Sequence, residues 1–275
     1  MADYQHLLVD VRDGVATVTL NRPQSLNALN PRLIAELSGY FGGLHAGSDA
    51  RVVVLKGAGR AFCAGLDLKE FQADGARRQV GDMLDAQKRV RDVILAMRRC
   101  PQPVISVVQG AASGGGFALA LASDIRLLTP DARMNAAFIR LGLSGCDVGV
   151  SYFLPRLVGA SVAAEFMLTG RFLGAQRALS LGLASQVAEL PDIEAEAAAL
   201  AADMLAATPL GLRLTKEALA FAIDAPSLEA AIAMEDRNQV LCTQGEDFGE
   251  GVDAFIAKRK PRYGKAGKGS NGGAA

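Results

Sequence analysis

Two glycine-bearing segments carry the residue types from which a backbone-donor site can be built. They are Ala61-Phe62-Cys63-Ala64-Gly65-Leu66-Asp67-Leu68 and Gly110-Ala111-Ala112-Ser113-Gly114-Gly115-Gly116. Each follows an apolar run, and the second opens another. Small residues let a ligand approach the backbone closely, and unpaired amides at a helix start attract negative charge. Two such amides converging on one point form an oxyanion hole, which stabilises the charge that develops on a carbonyl oxygen. The blander reading is that the glycines only permit tight strand–helix packing. Side chains able to carry a proton are scarce in this part of the chain. No glutamate occurs between Glu70 and Glu165, and the acids between Gly110 and Glu165 are Asp124, Asp131 and Asp147.

Other chemistries lack their residues. His6 and His45 are the only histidines and lie outside every motif, which disfavours a histidine-based triad and a His-rich metal site. Ala111-Ala112-Ser113-Gly114-Gly115 echoes a nucleophile elbow without its first glycine. Cys63, Cys100, Cys146 and Cys242 are widely spaced with no C-x-x-C pair, and read as buried free thiols of a reducing compartment. Cys63 and Cys146 read as pocket lining, because no histidine in either motif can activate them. Gly57-Ala58-Gly59 lacks the third glycine of a dinucleotide fingerprint, since Phe62 stands there, and no P-loop string occurs.

The elements that must position these turns can be read from periodicity. Val15 to Leu20 alternates and is β-branched, as a strand should be. Asn30-Pro31 reads as an N-cap and first helical residue, and Gly42-Gly43 stops that helix. Val52 to Leu55 is continuously apolar, like a strand buried on both faces. A helix is predicted from about Asp82 to Arg99, then a strand over Val104 to Val108, the Gly110–Gly116 turn, an apolar helix from Phe117 to Ala122 and a strand over Ile125 to Leu128. Gly142, Gly145 and Gly149 punctuate a loop, and Ser161 is placed to cap a helix ending at Gly170. Alanine-rich helices follow over Glu194–Ala206, Pro209–Ile223 and Leu228–Cys242. The expected division is a core over 1–194, a helical region over 195–263 and a disordered tail over 264–275.

Composition narrows the class. The 275 residues carry 29 basic and 29 acidic side chains, half the chain is apolar, and there is no tryptophan. A net charge of 0 argues against a partner held by a positive field, either nucleic acid or an anionic membrane. Cys100 to Ser123 is uncharged and long enough to imitate a membrane span. Pro101, Pro103, Gln109 and the glycine triplet instead predict a buried strand, a turn and a buried helix. Met1 to Asp13 lacks a signal-peptide core, so a cytoplasmic protein is expected.

Taken together, an ordered series of segments resembles the enoyl-CoA hydratase/isomerase (crotonase) family. It comprises Asn21-Arg22-Pro23, Leu26-Asn27-Ala28-Leu29, the Ala61–Leu68 turn, the strand with Gly114-Gly115-Gly116, and Ser123-Asp124. Leu154-Pro155-Arg156-Leu157-Val158-Gly159, Leu168-Thr169-Gly170 and Phe255 to Pro261 complete it, so the resemblance runs from about residue 5 to 263. It implies an α/β fold, a spiral of repeated ββα units with a C-terminal helical trimerisation region, assembled as a homotrimer or a dimer of trimers. It also implies an acyl-CoA thioester substrate, with no metal and no cofactor beyond the coenzyme A that arrives with it. The family's two amide donors match Ala64 and Gly115, each such donor being worth ~3 kcal/mol. Ala64, Gly65, Leu66, Asp67 and Leu68, with Gly114, match the acyl-CoA path, and Lys258 matches a basic position near the CoA phosphates. A solvated Lys-Arg-Lys run is the plainer reading of Lys258.

The chain departs from the family's hydratases at their two glutamates, where Ala118 and Phe138 stand. Asp124 resembles a structural Asp of the family, and Asp131 follows Pro130 in a turn. Asp147 lies in the Gly142–Tyr152 loop that borders the acyl pocket in the family; dienoyl-CoA isomerases and naphthoyl-CoA synthases carry a functional Asp in this loop. Beside an apolar pocket its pKa would be raised and it could serve as general base, the alternative being a cap for the following helix. Ser151 and Tyr152 could orient substrate or water. The expected chemistry is hydration, dehydration or double-bond isomerisation through a thioester enolate. The alternatives are a non-catalytic acyl-CoA binding protein that lost the acids, and a thioester hydrolase or C–C lyase on the same scaffold.

Overall fold

The computed structural model describes residues 4–73 and 79–264; all but the first residue of the expected 264–275 tail lies outside them. Strands β1 (Leu7–Arg12) and β2 (Val15–Leu20) form an antiparallel hairpin. Helix α1 (Pro31–Gly43) starts as its sequence predicts, the Asn30 side chain accepting a hydrogen bond from the Leu33 amide ahead of a proline in the first turn. Next come β3 (Val52–Gly57), α2 (Leu68–Ala73) and α3 (Val80–Arg99), then β4 (Val104–Val108), β5 (Ala111–Ser113) and α4 (Gly115–Ala122). After β6 (Ile125–Leu128) and β7 (Arg133–Asn135) the chain runs through α5 (Val150–Val158), α6 (Ala160–Thr169), β8 (Leu173–Gly174), α7 (Ala175–Ser180) and β9 (Gln186–Val187). It ends in α8 (Leu190–Leu205), α9 (Pro209–Ala222), α10 (Leu228–Thr243) and α11 (Glu246–Ile256).

The strand pairing makes this succession a spiral. The large sheet has the order β1-β2-β3-β4-β6-β9, parallel after the first hairpin, and a smaller sheet has the order β5-β7-β8. Two isolated parallel bridges, Leu29 to Leu66 and Cys63 to Ala112, extend the smaller layer backwards along the chain. Each coil therefore supplies an outer strand, an inner segment and a helix: β2, Leu29 and α1; β3, Cys63 to Leu66 and α3; β4, β5 and α4; β6, β7 and α5. This is the expected series of ββα units.

Burial follows from the layering. One cluster joins Leu33, Leu37, Phe41, Val93, Met97 and Phe117 with strand residues such as Val53 and Leu55. On the other sheet face Val52, Val54, Ile105, Val107 and Leu127 pack on Ile193, Ala197 and Ala201 of α8. Both faces of the central strands are covered, which is why Val52 to Leu55 has no polar alternation. The expected boundary at 195 falls inside α8, which packs on the sheet. The uncharged stretch 100–123 folds as β4, β5 and α4, and among the described residues no single helix is long and apolar enough to cross a membrane.

One sequence expectation differs from the structure. Ser161 caps nothing: α6 opens at Ala160 directly after Gly159, with no side-chain cap. The helix expected after Asp147 is α5, which opens at Val150 after Gly149 and carries Pro155 within it.

Helix α9 is tied to the core by a buried cation. Lys216 Nζ lies 2.7 Å from the Gln102 carbonyl, 3.2 Å from that of Met97 and 3.0 Å from Asp124 Oδ2. Asp124 also accepts from the Val104 amide and pairs with Arg98, so it joins strand end, α3 and α9, as a structural Asp should. Lys216→Met is expected to lower unfolding free energy by about 2–4 kcal/mol, because it leaves the Met97 and Gln102 carbonyls with only the weak Cys100 thiol donor among the described residues and removes a cation from partly buried Asp124. Urea denaturation followed by circular dichroism measures the loss.

Candidate active site

The two glycine-bearing turns meet. Phe62 and Cys63 amides donate to the carbonyls of Gln109 (2.7 Å) and Ala111 (3.0 Å), and the Ser113 amide donates to the Cys63 carbonyl at 3.0 Å. The approach leaves no room for side chains: a Cβ on Gly116 would stand 2.1 Å from the Cys63 carbonyl oxygen. A Cβ on Gly65 would stand 2.7 Å from the Ser113 carbonyl oxygen and 3.5 Å from the Gly115 nitrogen. Gly65 also has φ +92°, a conformation that suits glycine.

That positive φ changes which amides face the junction. The Ala64 amide donates to the Leu26 carbonyl at 3.0 Å, so it is already engaged and is not an available donor. This corrects the expectation for Ala64. One residue past Gly65 the direction reverses. Leu29 donates to the Gly65 carbonyl (2.7 Å) and accepts from the Asp67 amide (3.0 Å), a parallel bridge in which the intervening Leu66 N–H points away from Leu29. The Leu66 amide has no hydrogen-bond partner among the described residues. The Gly115 amide, in the first turn of α4, also has none, as expected where no intrahelical acceptor exists. Leu66 and Gly115 therefore each present a free amide on the two sides of the junction, and the left-handed glycine between Ala64 and Leu66 was the signal that could have found Leu66.

Segment 22–29 buttresses the first turn, a role not read from the sequence. Buried Asn27 accepts from the Arg22 amide (2.9 Å) and donates to the carbonyls of Ala58 (2.9 Å) and Ala61 (2.8 Å). The Arg22 guanidinium, also buried, reaches the Ala28 carbonyl at 2.5 Å, Asp67 at 3.0 Å and Glu70 at 2.6 Å. Asn30 donates to Glu70 as well. Burial alone would push the Asp67 carboxyl up. The Glu70 amide and the Arg22 guanidinium outweigh it and hold Asp67 below the usual carboxylate range. Asp67 is thus bound inward to the scaffold, while the side chains of its neighbours Leu66 and Leu68 are exposed and apolar.

At the two positions where acids might pair, the structure is apolar. Ala118 is fully buried in α4, and the Phe138 ring lies against Gly114, 3.3 Å from where its Cβ would be. Asp131 accepts from the Thr129 hydroxyl at 2.5 Å in its turn. Asp147 is half-buried at the entry to α5, and α4 packs against both α3 and α5. Its Oδ1 accepts from the Val148 amide at 2.8 Å and from Gln87 Nε2 on α3. Burial raises its pKa above the usual carboxylate range, and these two hydrogen bonds oppose the rise only in part. The side chain does not cap α5, whose N-cap is Gly149.

The remaining candidates are placed as follows. Ser151 and Tyr152 are exposed, and the Tyr152 hydroxyl donates to Asp224. Lys258 is exposed just past α11, with no ion pair among the described residues. Burial pushes the Cys63 thiol up to about 12, so it is inert as a nucleophile. Cys146 is exposed rather than lining a pocket. His45 is exposed and His6 half-buried, 3.4 Å from Asn30 Nδ2 and not beside either turn's serine or cysteine. Among the described residues no group of three or more His, Cys, Asp or Glu is placed to hold a metal ion.

Comparison with known proteins shows the family and the fold. The sequence pattern of the enoyl-CoA hydratase/isomerase family matches residues 10–266. The protein named "probable enoyl-CoA hydratase echA12" of Mycobacterium leprae is 40% identical over 253 residues, covering 90% of this chain and 86% of its own. The 1,2-epoxyphenylacetyl-CoA isomerase of Escherichia coli K12 is 34% identical, with 94% and 98% covered. Among solved structures, an enoyl-CoA hydratase from Bacillus anthracis superposes with a TM-score of 0.88 at 33% identity, covering 94% of this chain and 99% of that one.

The Arg22–Asp67 pair yields a pH prediction. A carboxylate with a depressed folded pKa contributes stability that is fully present above its unfolded value of about 3.9 and is lost as pH falls through the folded value. Asp67→Asn is therefore expected to cost about 2–4 kcal/mol near neutral pH. The gap to the parent protein should narrow as pH drops below about 4. Urea titrations across that range measure both.

Proposed function

The chain belongs to the enoyl-CoA hydratase/isomerase family, and from that membership we propose that it moves a carbon–carbon double bond in an acyl-CoA thioester. The thioester carbonyl oxygen would accept hydrogen bonds from the Leu66 and Gly115 amides. Asp147 would remove a proton from the substrate carbon. As that C–H bond breaks and an O–H bond forms on Asp147, its electron pair flows toward the thioester oxygen, where the two amides stabilise the enolate. Asp147 then returns the proton to a different carbon, the double bond settles in its new position, and no atom is gained or lost.

One observation carries this reading. Ala118 and Phe138 stand where the family's hydratases carry two glutamates, and Asp147 is half-buried in the loop that borders the acyl pocket in the family. Relaying a single proton between two carbons requires one acid/base group, whereas guiding and cleaving a water is better served by two. Hydration with Asp147 alone is the second reading, favoured by the word hydratase in the M. leprae relative's name. The apolar side chains of Leu66 and Leu68 support an acyl path along the first turn. Lys258 is proposed to meet the CoA phosphates. Helix α10 buries no residue within its own chain, and Leu228, Val240, Leu241 and Phe255 are exposed, which supports a homotrimer or dimer of trimers through α9–α11.

Asp147→Asn is expected to lower kcat on a 3-enoyl-CoA by about 10²–10⁴-fold, the usual worth of a general acid/base. The Kd for an acyl-CoA should stay unchanged. A variant at full rate would remove Asp147 from the chemistry. A parent protein that binds acyl-CoAs yet turns over none of a panel of enoyl-CoAs would favour the non-catalytic alternative.

A further inference from the structure

We propose that Gln87 is a positioning residue: with the Val148 amide it holds Asp147 Oδ1, leaving Oδ2 as the oxygen that takes up and returns the substrate proton. The inference rests on the proposed role of Asp147 and says which atom acts and what aims it.

The geometry is asymmetric about the carboxylate. Both hydrogen bonds, from Gln87 Nε2 and the Val148 amide, end on Oδ1, and Oδ2 has no partner among the described residues. The backbone beside it is strained in the same sense. Val148 has φ +36°, a conformation a β-branched residue adopts only when its surroundings impose it. Those surroundings are visible. The Asp147 carbonyl accepts from the Val150 amide at 2.8 Å, anchoring the turn to the start of α5. A Cβ on Gly149 would stand 2.9 Å from the Phe153 ring and 3.7 Å from Ile94 of α3, so the turn is wedged between α3 and α5. Gln87 closes the arrangement from α3, a 20-residue helix, although its own side chain is exposed and supports no core packing. An exposed glutamine that donates to a half-buried carboxylate serves that carboxylate. In the reaction, the substrate C–H bond breaks as Oδ2–H forms, and the same bond to hydrogen reverses at the second carbon. Gln87 exchanges nothing and keeps Oδ1 from turning toward the substrate.

Several charges on the elements beside Asp147 pair elsewhere. On α3, Asp85 pairs with Lys88 and Asp92 with Arg91. On α5, Tyr152 and Arg156 both bind Asp224, and α4 carries no ionisable side chain. The adjacent Cys146 thiol is exposed. No charged group contributes to the shift of Asp147, which comes from burial and then the Val148 and Gln87 hydrogen bonds.

The test compares Gln87→Leu, Gln87→Glu and Asp147→Asn with the parent protein, reading kcat and KM for a 3-enoyl-CoA across pH together with Tm. Losing a donor to the charged form raises the pKa of Asp147. The acid limb of kcat/KM should therefore move to higher pH, by about half a unit or more in Gln87→Leu. It should move further in Gln87→Glu, where a second carboxyl faces the first. Severalfold losses in kcat near the limb, with KM and Tm unchanged, are expected. Gln87 variants that keep the parent's limb and kcat would overturn the positioning role while Asp147→Asn remains inactive. A fully active Asp147→Asn would instead overturn the reading of Asp147 itself.

Discussion

Successive coils of this chain approach so closely that the Gly116 Cα sits where any side chain would strike the Cys63 carbonyl, and the site depends on that contact. The Cys63–Ala112 bridge draws the second coil's inner segment against the third, and the Leu29–Leu66 bridge draws the first against the second. Between them, the left-handed Gly65 turns the backbone over. The Ala64 amide then faces the supporting segment and the Leu66 amide faces away from it, on the side of α4. The Leu66 and Gly115 amides are left without partners among the described residues. Such donors need no reorganisation when charge develops on a carbonyl oxygen, which is what makes fixed amides effective.

The scaffold holds the first turn with charge and hydrogen bonds as well as packing. Arg22, Asp67, Glu70 and Asn30 form one partly buried network, and Asn27 ties 22–27 to the carbonyls of Ala58 and Ala61. A buried polar cluster therefore supports the first turn. The side chains of Ala118 and Phe138 beside the second turn are apolar. That contrast suits an enolate, because a low-dielectric surround strengthens each donor and raises the pKa of a bordering acid.

Much of the fold was legible in the sequence because its signals are local. The Asn30 cap, the β-branched alternation of Val15 to Leu20 and the uncharged β4–β5–α4 run each follow from short-range rules. The continuous apolarity of Val52 to Leu55 announced cover on both faces, but only the structure supplies α8 as the second layer. At the site, Gly115 was legible as an amide at the start of an apolar helix. Leu66 was not, since the choice between it and Ala64 turns on a single φ angle at Gly65. Gln87 was illegible for a different reason: its partner lies 60 residues away, and nothing in an amphipathic helix marks one exposed glutamine from another. Asp67 read as part of the ligand path, yet its partner Arg22 comes from a segment whose motif gives no hint of an ion pair.

If a single proton carrier acts beside two fixed amides, the products of turnover test it most directly. Purified protein would be incubated with a 3-enoyl-CoA in ordinary water, and the acyl-CoAs separated by liquid chromatography and weighed by mass spectrometry. The expected result is loss of the substrate peak and growth of a separately eluting isomer of the same mass, with no free coenzyme A. A product heavier by one water, release of free coenzyme A, or an unchanged substrate peak would contradict it.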